Sequence, residues 1–396
     1  MDFSAIELDQ ETLDFWAEVR AFCDEYVTEE LHDEEHRTGD GFNLRLHLAL
    51  GAKGWLLPTW PVEDGGAGLN AIQAYLISHE LHLRRAPNIT YGTTTMVLPA
   101  VLQWGSDELR SDVVPKVASG HARFCLGYSE PDSGSDIAAA KTRAVRDGEE
   151  WVIDGQKMFT TGAQNCQYAF LLTRTNPEAA KHKGLTMFLC PLDDAEIQAV
   201  HTLGGERTNM VFYDGIRIAD KYRLGPVDQG WMVLLGPLNA EHAMGDERPI
   251  LPLERTGGEN YGVAGAHAYA AAVDWAGTSE PDGRRPIEDD VVRQRLARAA
   301  LELELATTST GPIGRILTSE MSIRVAEDLL SLVGPPGLLP RGEEGALAGG
   351  WLEYAHRFAQ GTATYGGTTD IHRNILAERF LGLPRSSPGA SKPPVG

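Results

Sequence analysis

The sequence predicts an α+β chain built in three successive parts: a helical N-terminal domain, a middle antiparallel β domain and a C-terminal four-helix bundle. Two switches in hydrophobic period carry that expectation, and Asp-Gly pairs that punctuate the middle third support it. Apolar residues follow a helical period over 1–120, a strand-like one over 121–230 and a helical one again over 231–385. Residues 386–396, rich in Ser, Pro and Gly, read as a disordered tail.

In the first part Leu13, Trp16, Val19, Phe22, Cys23 and Val27 line one face of a helix over Glu11 to Val27, and Ala71 to Leu83 and Asp107 to Ala118 repeat the pattern. The middle part holds short β-branched and aromatic runs at Ala122 to Tyr128, Glu150 to Ile153, Tyr168 to Thr173, Leu185 to Pro191 and Asn209 to Phe212. Asp147-Gly148, Asp154-Gly155 and Asp214-Gly215 are expected to be tight hairpin turns, because glycine supplies their positive φ. In the last part Val292, Leu296, Ala299 and Leu303 mark one bundle helix, with Ser322 to Leu332 and Trp351 to Phe358 as others. Met244 to Gly262 and Gly334-Pro-Pro-Gly337 interrupt them.

A net charge of -21 argues against a nucleic-acid or anionic-membrane surface, since either would need a basic footprint. The cysteines, Cys23, Cys125, Cys166 and Cys190, stand far apart and without histidines at ligand spacing, so neither a zinc site nor a disulfide framework is indicated. Buried thiols in a reducing compartment are expected. Met1-Asp2-Phe3-Ser4 starts no basic stretch with an apolar run behind it, and no segment reaches about 18 consecutive apolar residues, so the expectation is a cytoplasmic protein.

Four motifs stand in this frame: Trp60-Pro-Val-Glu-Asp-Gly-Gly-Ala-Gly68, Leu126-Gly-Tyr-Ser-Glu-Pro-Asp-Ser-Gly-Ser-Asp136, Asp154-Gly-Gln-Lys-Met-Phe-Thr-Thr161 and Tyr365-Gly-Gly-Thr-Thr-Asp-Ile-His-Arg373. Taken alone, Pro131-Asp-Ser-Gly134 is an ordinary surface turn and Lys157 to Thr160 an alternating strand. In this order and spacing the motifs resemble the signatures of the flavin-dependent acyl-CoA dehydrogenases over about residues 10 to 385. The resemblance implies FAD as cofactor, an acyl-CoA substrate and an electron-transferring flavoprotein as electron acceptor. It assigns Ser129, Gly134 and Ser135 to the flavin's polar edge and pyrophosphate, with Leu126 and Tyr128 beside the ring. Hydroxyls and backbone N–H groups at a turn suit such a ligand. Phe159 takes the place of an aromatic packed on the isoalloxazine, often Trp in the family, and Thr161 that of a hydroxyl near flavin N5. Thr368 and Asp370 match the helix entry near the diphosphate and ribose.

In this family a carboxylate removes the α-proton of the thioester while a hydride passes from the β-carbon to the flavin. Many members carry that glutamate directly after the Tyr of the last motif, where this chain has Gly366. A minority places it on a bundle helix in a segment resembling Gly-Trp followed at a fixed distance by Glu-Arg. Gly230-Trp231 with Glu241-His242 matches that spacing, making Glu241 the expected base. Leu253-Glu254-Arg255 resembles the local pattern more closely, and Glu254 takes the role if the intervening insertion lies upstream of Leu251. The resemblance also gives the backbone N–H of Gly366 to the thioester oxygen, and a glycine there leaves room for a bulkier acyl group.

The same Gly occurs in actinobacterial members that oxidise steroid side-chain thioesters as mixed α2β2 assemblies, which this chain resembles. Thr278 to Ile287 retains only Pro-Ile of the segment through which many homotetrameric members reach a neighbour's FAD, and Ser331 and Pro335 replace other such contacts. A homo- or heterotetramer is expected, and a non-catalytic or FAD-sharing subunit is the alternative to an enzyme; a related flavoprotein oxidase or hydroxylase acting on a substrate without CoA is a third reading. Lys181-His-Lys183 is either a contact for CoA phosphates or a solvated loop.

Overall fold

In a computed structural model describing residues 7–241, 259–279, 281, 283–309 and 311–384, the chain forms two units, one from the described residues up to Glu241 and one from Glu259 onward. The first begins with α1 (Gln10–Tyr26), α2 (Glu29–Thr38), α3 (Leu44–Ala52), α4 (Ala71–Leu83), α5 (Ile89–Trp104) and α6 (Asp107–Ala118). Asp9, Thr28, Asn43, Asn70 and Ser106 each cap a helix by accepting a backbone N–H of its first turn, and Gln73 completes a capping box with Asn70. The expected helices over 71–83 and 107–118 are found with those bounds; α2, α3 and α5 were not foreseen.

The strands are β1 (Phe124–Gly127), β2 (Arg143–Asp147), β3 (Glu150–Met158), β4 (Tyr168–Arg174), β5 (Leu185–Pro191), β6 (Glu196–His201), β7 (Arg207–Ala219) and β8 (Arg223–Leu224). They form one sheet in the order β6-β7-β3-β2-β4-β5-β8, with β1 beside β4. Most pairings are antiparallel as expected, but β1 runs parallel to β4, and β2 meets β4 in a parallel register. Asp147-Gly148 makes the expected hairpin between β2 and β3. The other two Asp-Gly pairs do not turn the chain. They face each other across a bulge between β3 and β7, where Gly155 and Gly215 take positive φ and the Asp154 carboxylate accepts the Gly215 N–H at 3.0 Å. The same φ freedom that suits a hairpin serves a bulge equally well.

One face of the sheet, through Phe124, Phe170, Leu172 and Met187, packs on Val97, Leu98 and Val101 of α5 and Leu109 and Val113 of α6. The other face buries Cys125, Trp151, Leu171, Phe188, Cys190 and Tyr213. All four cysteines are buried free thiols. The unit closes with α7 (Gly230–Glu241), whose first residue lies against β5 so tightly that a Cβ on Gly230 would sit 2.7 Å from the Thr186 backbone.

In the second unit α8 (Glu259–Gly277), α9 (Asp290–Thr308), α10 (Gly311–Val333) and α11 (Trp351–Thr362) pack on one another as the expected four-helix bundle, followed by α12 (Thr369–Ile375). Ala268, Ala271, Ala272, Ala299, Ala355 and Ala359 line its core with Leu296, Leu303 and Leu329, small side chains that let the helix backbones approach. Of the expected interruption over Met244 to Gly262, residues 259–262 open α8 and the rest lies outside the described residues, as does the tail 386–396. Gly334 to Gly337 leads into a single 3-10 turn. Among the described residues no helix is long and apolar enough to cross a membrane.

Candidate active site

In the first unit the loop after β1 is pinned from below by a buried ion pair. Lys157 Nζ lies 2.8 Å from Glu130 Oε1, their side chains 0% and 5% exposed, and donates to the Tyr128 carbonyl at 3.2 Å. The Glu130 carboxylate also accepts the backbone N–H groups of Lys141 at 2.7 Å and Thr142 at 2.9 Å. Burial pushes the Lys157 ammonium down to about 8 against the pull of Glu130. Burial alone would raise Glu130, but Lys157 and the two amides hold it below the ordinary carboxylate range. Arg174 fastens the far side of the loop through the carbonyls of Ala138 at 2.6 Å and Ala140 at 3.3 Å.

What this frame presents is polar and open. Glu130 and Ser133 close a tight turn by exchanging backbone hydrogen bonds, and Gly134, Ser135 and Asp136 stand exposed beyond it. Gly134 has no positive φ, and a Cβ on it would meet nothing within 4 Å, so neither turn geometry nor packing within the chain calls for glycine. A close backbone approach by a bound group would. Leu126 is half-buried, and Tyr128 packs edge-on against Phe170 in the core, so Tyr128 offers its backbone rather than its ring. The Ser129 carbonyl accepts the Met158 N–H at 2.9 Å, joining this loop to the end of β3.

Immediately beyond that junction Phe159 holds φ at 61° and exposes 58% of its surface. A bulky residue in the left-handed region costs about 1–2 kcal/mol, and an exposed aromatic ring returns little of it within the chain. Such strain is retained where the surroundings over-determine it and a bound partner uses the ring. Thr161 shares a hydrogen bond of 3.0 Å with the Thr208 hydroxyl, which leaves one of the two hydroxyls with a proton to donate elsewhere. Loop, ring and hydroxyl therefore fit the flavin that the motifs imply.

In the second unit Gly366 and Gly367 both have positive φ, 56° and 79°, and form the turn into α12. Thr368 caps that helix by accepting the Ile371 N–H at 3.2 Å, and Asp370 is exposed in its first turn. Beneath the turn, Arg315 of α10 donates to the Thr362 carbonyl at 2.7 Å and to the Tyr365 carbonyl, and the Nε2 of buried His372 lies 3.1 Å from the Gly366 carbonyl. An imidazole nitrogen facing a carbonyl must carry its proton, which fixes the tautomer. Burial, reinforced by Arg315, lowers the His372 pKa, with the Gly366 bond opposing.

Glu241 is the last residue of α7, a helix whose Gly230, Val233, Leu234 and Pro237 are buried. Glu254 lies outside the described residues. Lys181 pairs with Asp136, and His182 packs edge-on against Trp231 with ring centroids 4.5 Å apart, while all three residues of the Lys181-His-Lys183 segment stay exposed. Lys157, Glu130, Arg315 and His372 have no role in the sequence expectations. A charged residue in the inward phase of β3 was the available signal for Lys157; nothing local marks the others.

Models of three acyl-CoA dehydrogenase domains match the chain: the N-terminal domain over residues 9–121, the middle domain over 125–214 and the C-terminal domain over 254–381. The acyl-CoA dehydrogenase FadE26 of Mycobacterium tuberculosis is 31% identical over 364 residues, spanning 85% of this chain and 87% of the relative. Among solved structures, the ChsE4-ChsE5 complex from Mycobacterium tuberculosis is similar with a TM-score of 0.80 at 27% identity, covering 97% of this chain and 100% of that one. The Tcur3481-Tcur3483 steroid ACAD is similar with a TM-score of 0.79 at 28% identity and the same coverage, 97% and 100%.

Proposed function

The chain belongs to the acyl-CoA dehydrogenase family, and from that premise we propose that it introduces an α,β double bond into a bulky acyl-CoA thioester and delivers the electrons to an electron-transferring flavoprotein. When bound, FAD would supply the acceptor for the electron pair leaving the β-carbon. Ser129, Gly134 and Ser135 would hold its polar parts, Phe159 would cover the ring and Thr161 would donate to it, with Thr368 and Asp370 serving the diphosphate and ribose. The observation that carries this reading is Phe159, an exposed aromatic kept at φ 61° beside the pinned Ser129 loop.

Glu241 takes the α-proton. Its distance from Gly230-Trp231 matches the family pattern for a base on a bundle helix, and a carboxyl desolvated by bound substrate is raised toward neutrality and becomes a competent base. The Gly366 N–H, which has no acceptor among the described residues, receives the thioester oxygen as negative charge develops there. Glycine at 366 removes a side chain from the turn, which favours a bulky acyl group, and the steroid ACAD among the similar structures supports that class. The paired names of both structural relatives and the reduced segment Thr278 to Ile287 support a heteromeric tetramer.

The test is the anaerobic visible spectrum of the purified chain, alone and with its partner subunit, titrated with octanoyl-CoA, palmitoyl-CoA and a steroid-acid CoA thioester. Bleaching of the flavin band by one thioester class, lost in Glu241→Gln, is the expected result. Bleaching that survives in Glu241→Gln moves the base to Glu254. Flavin that no thioester reduces favours a non-catalytic, FAD-sharing subunit, the reading that the missing carboxylate at 366 supports.

A further inference from the structure

The geometry points to Arg315 as a positioning residue for the substrate: buried behind the Tyr365–Gly366 peptide, it aims and strengthens the N–H that receives the thioester oxygen. This rests on the reading of Gly366 given above and adds a residue to it.

Arg315 is 7% exposed, in the second turn of α10. Its guanidinium donates to the Ser319 hydroxyl, to the Thr362 carbonyl at 2.7 Å and to the Tyr365 carbonyl. The bond to Thr362 has a plain structural account. Thr362 ends α11, its carbonyl lacks an intrahelical partner, and a cation at a helix C-terminus is favourable. The bond to Tyr365 lies beyond the helix and needs another reason.

A trans peptide is planar, with C=O and N–H pointing in opposite directions, and the described residues contain no cis bond. Holding the Tyr365 carbonyl therefore sets the direction of the Gly366 N–H, away from Arg315. The next peptide is held in the same way, its Gly366 carbonyl facing His372 Nε2 at 3.1 Å. Two glycines at positive φ would otherwise leave the turn free to rotate its peptide planes. A hydrogen bond from a charged donor also polarises the peptide, so the N–H on its far side becomes a stronger donor. Because the charge acts through the peptide, Arg315 serves a developing enolate without touching substrate.

The test separates this role from folding by comparing two probes on the dithionite-reduced holoprotein, in which no turnover occurs. One is a CoA thioester of a steroid acid; the other is its thioether, identical except that it lacks the carbonyl oxygen. Wild type is expected to prefer the thioester. In Arg315→Met the thioester Kd should rise about tenfold while the thioether Kd stays within about twofold, and the stretching frequency of a 13C-labelled thioester carbonyl should return toward its value in solution. Arg315→Lys, which keeps a charge but not the fork, should recover part of the ratio and decides the matter if the Met variant does not fold. Equal weakening of both probes, or of neither, overturns the proposal. A wild type that binds the two probes equally refutes the reading of Gly366 itself, and Arg315 with it.

Discussion

Replacing Lys157 with Met should loosen the loop after β1 without unfolding the unit. The substitution removes a buried cation from Glu130 at 2.8 Å and from the Tyr128 carbonyl at 3.2 Å, and leaves a carboxylate only 5% exposed. Stranding one member of a buried pair costs roughly 3–5 kcal/mol. Glu130 keeps its two amide donors, Lys141 and Thr142, so the low end, about 3 kcal/mol, applies. Adding Glu130→Gln should then recover about 1–2 kcal/mol, because the stranded charge is gone while one acceptor oxygen remains. The measurement is native-state hydrogen exchange at the amides of Lys141 and Thr142, which reports local opening even where global unfolding is irreversible. A loss of about 3 kcal/mol corresponds to exchange more than about a hundredfold faster. Exchange within threefold of wild type in Lys157→Met, or a double variant worse than the single, would refute the reasoning that the pair holds the loop.

Phe159→Gly should relieve the left-handed strain and change the thermal midpoint little, yet reduce flavin retention on gel filtration about tenfold; retention at the wild-type level would show that the ring does not contact flavin. His47 is buried, with neither ring nitrogen bonded, and its pKa is driven down to about 3, chiefly by burial and then by Arg123. Its unfolded form takes up a proton below about 6.5 while the folded form does not, so stability is intact above that pH and falls as pH drops toward 3. At pH 5 the loss is about 2 kcal/mol relative to pH 7, and His47→Leu should abolish that part of the slope in urea titrations. An unchanged slope would place the proton elsewhere.

Where local chemistry decides an element, the sequence was sufficient. Helices α4 and α6 carry their own start signals in Asn70 and Ser106, and β5 is an apolar run bounded by turn residues. Helix α5 opens on a run rich in threonine, turns apolar only in its second half and is interrupted by Gly92 and Pro99, so it shows no period to read. Strand β6, at the sheet edge, has no fully buried residue, and its sequence offers no clean alternation. The bulge hid for a different reason: Asp154-Gly155 and Asp214-Gly215 look like turns until the partner strand is known. The site divides in the same way. Ser129, Phe159, Thr161 and Gly366 are candidates because of the motifs they stand in and the family those motifs resemble. Glu130 and Lys157 stand 27 positions apart, and Arg315 lies 50 from the carbonyl it holds, distances over which only the fold brings them together.

Those unforeseen residues share one arrangement. Lys157 faces the Tyr128 carbonyl, and the same peptide ends in the Ser129 N–H; Arg315 faces the Tyr365 carbonyl, and that peptide ends in the Gly366 N–H. Neither N–H has an acceptor among the described residues. In both places a buried cation sits behind a planar peptide whose N–H points the other way, so a backbone donor proposed for a ligand would be aimed by a side chain on the far side of the peptide. On the proposed reading of Gly366, this is how the site would dispense with a functional side chain at 366. A backbone donor asks no functional side chain of residue 366, only the positive φ that glycine adopts readily and the charge of Arg315 behind the peptide, so the turn is constrained at both places.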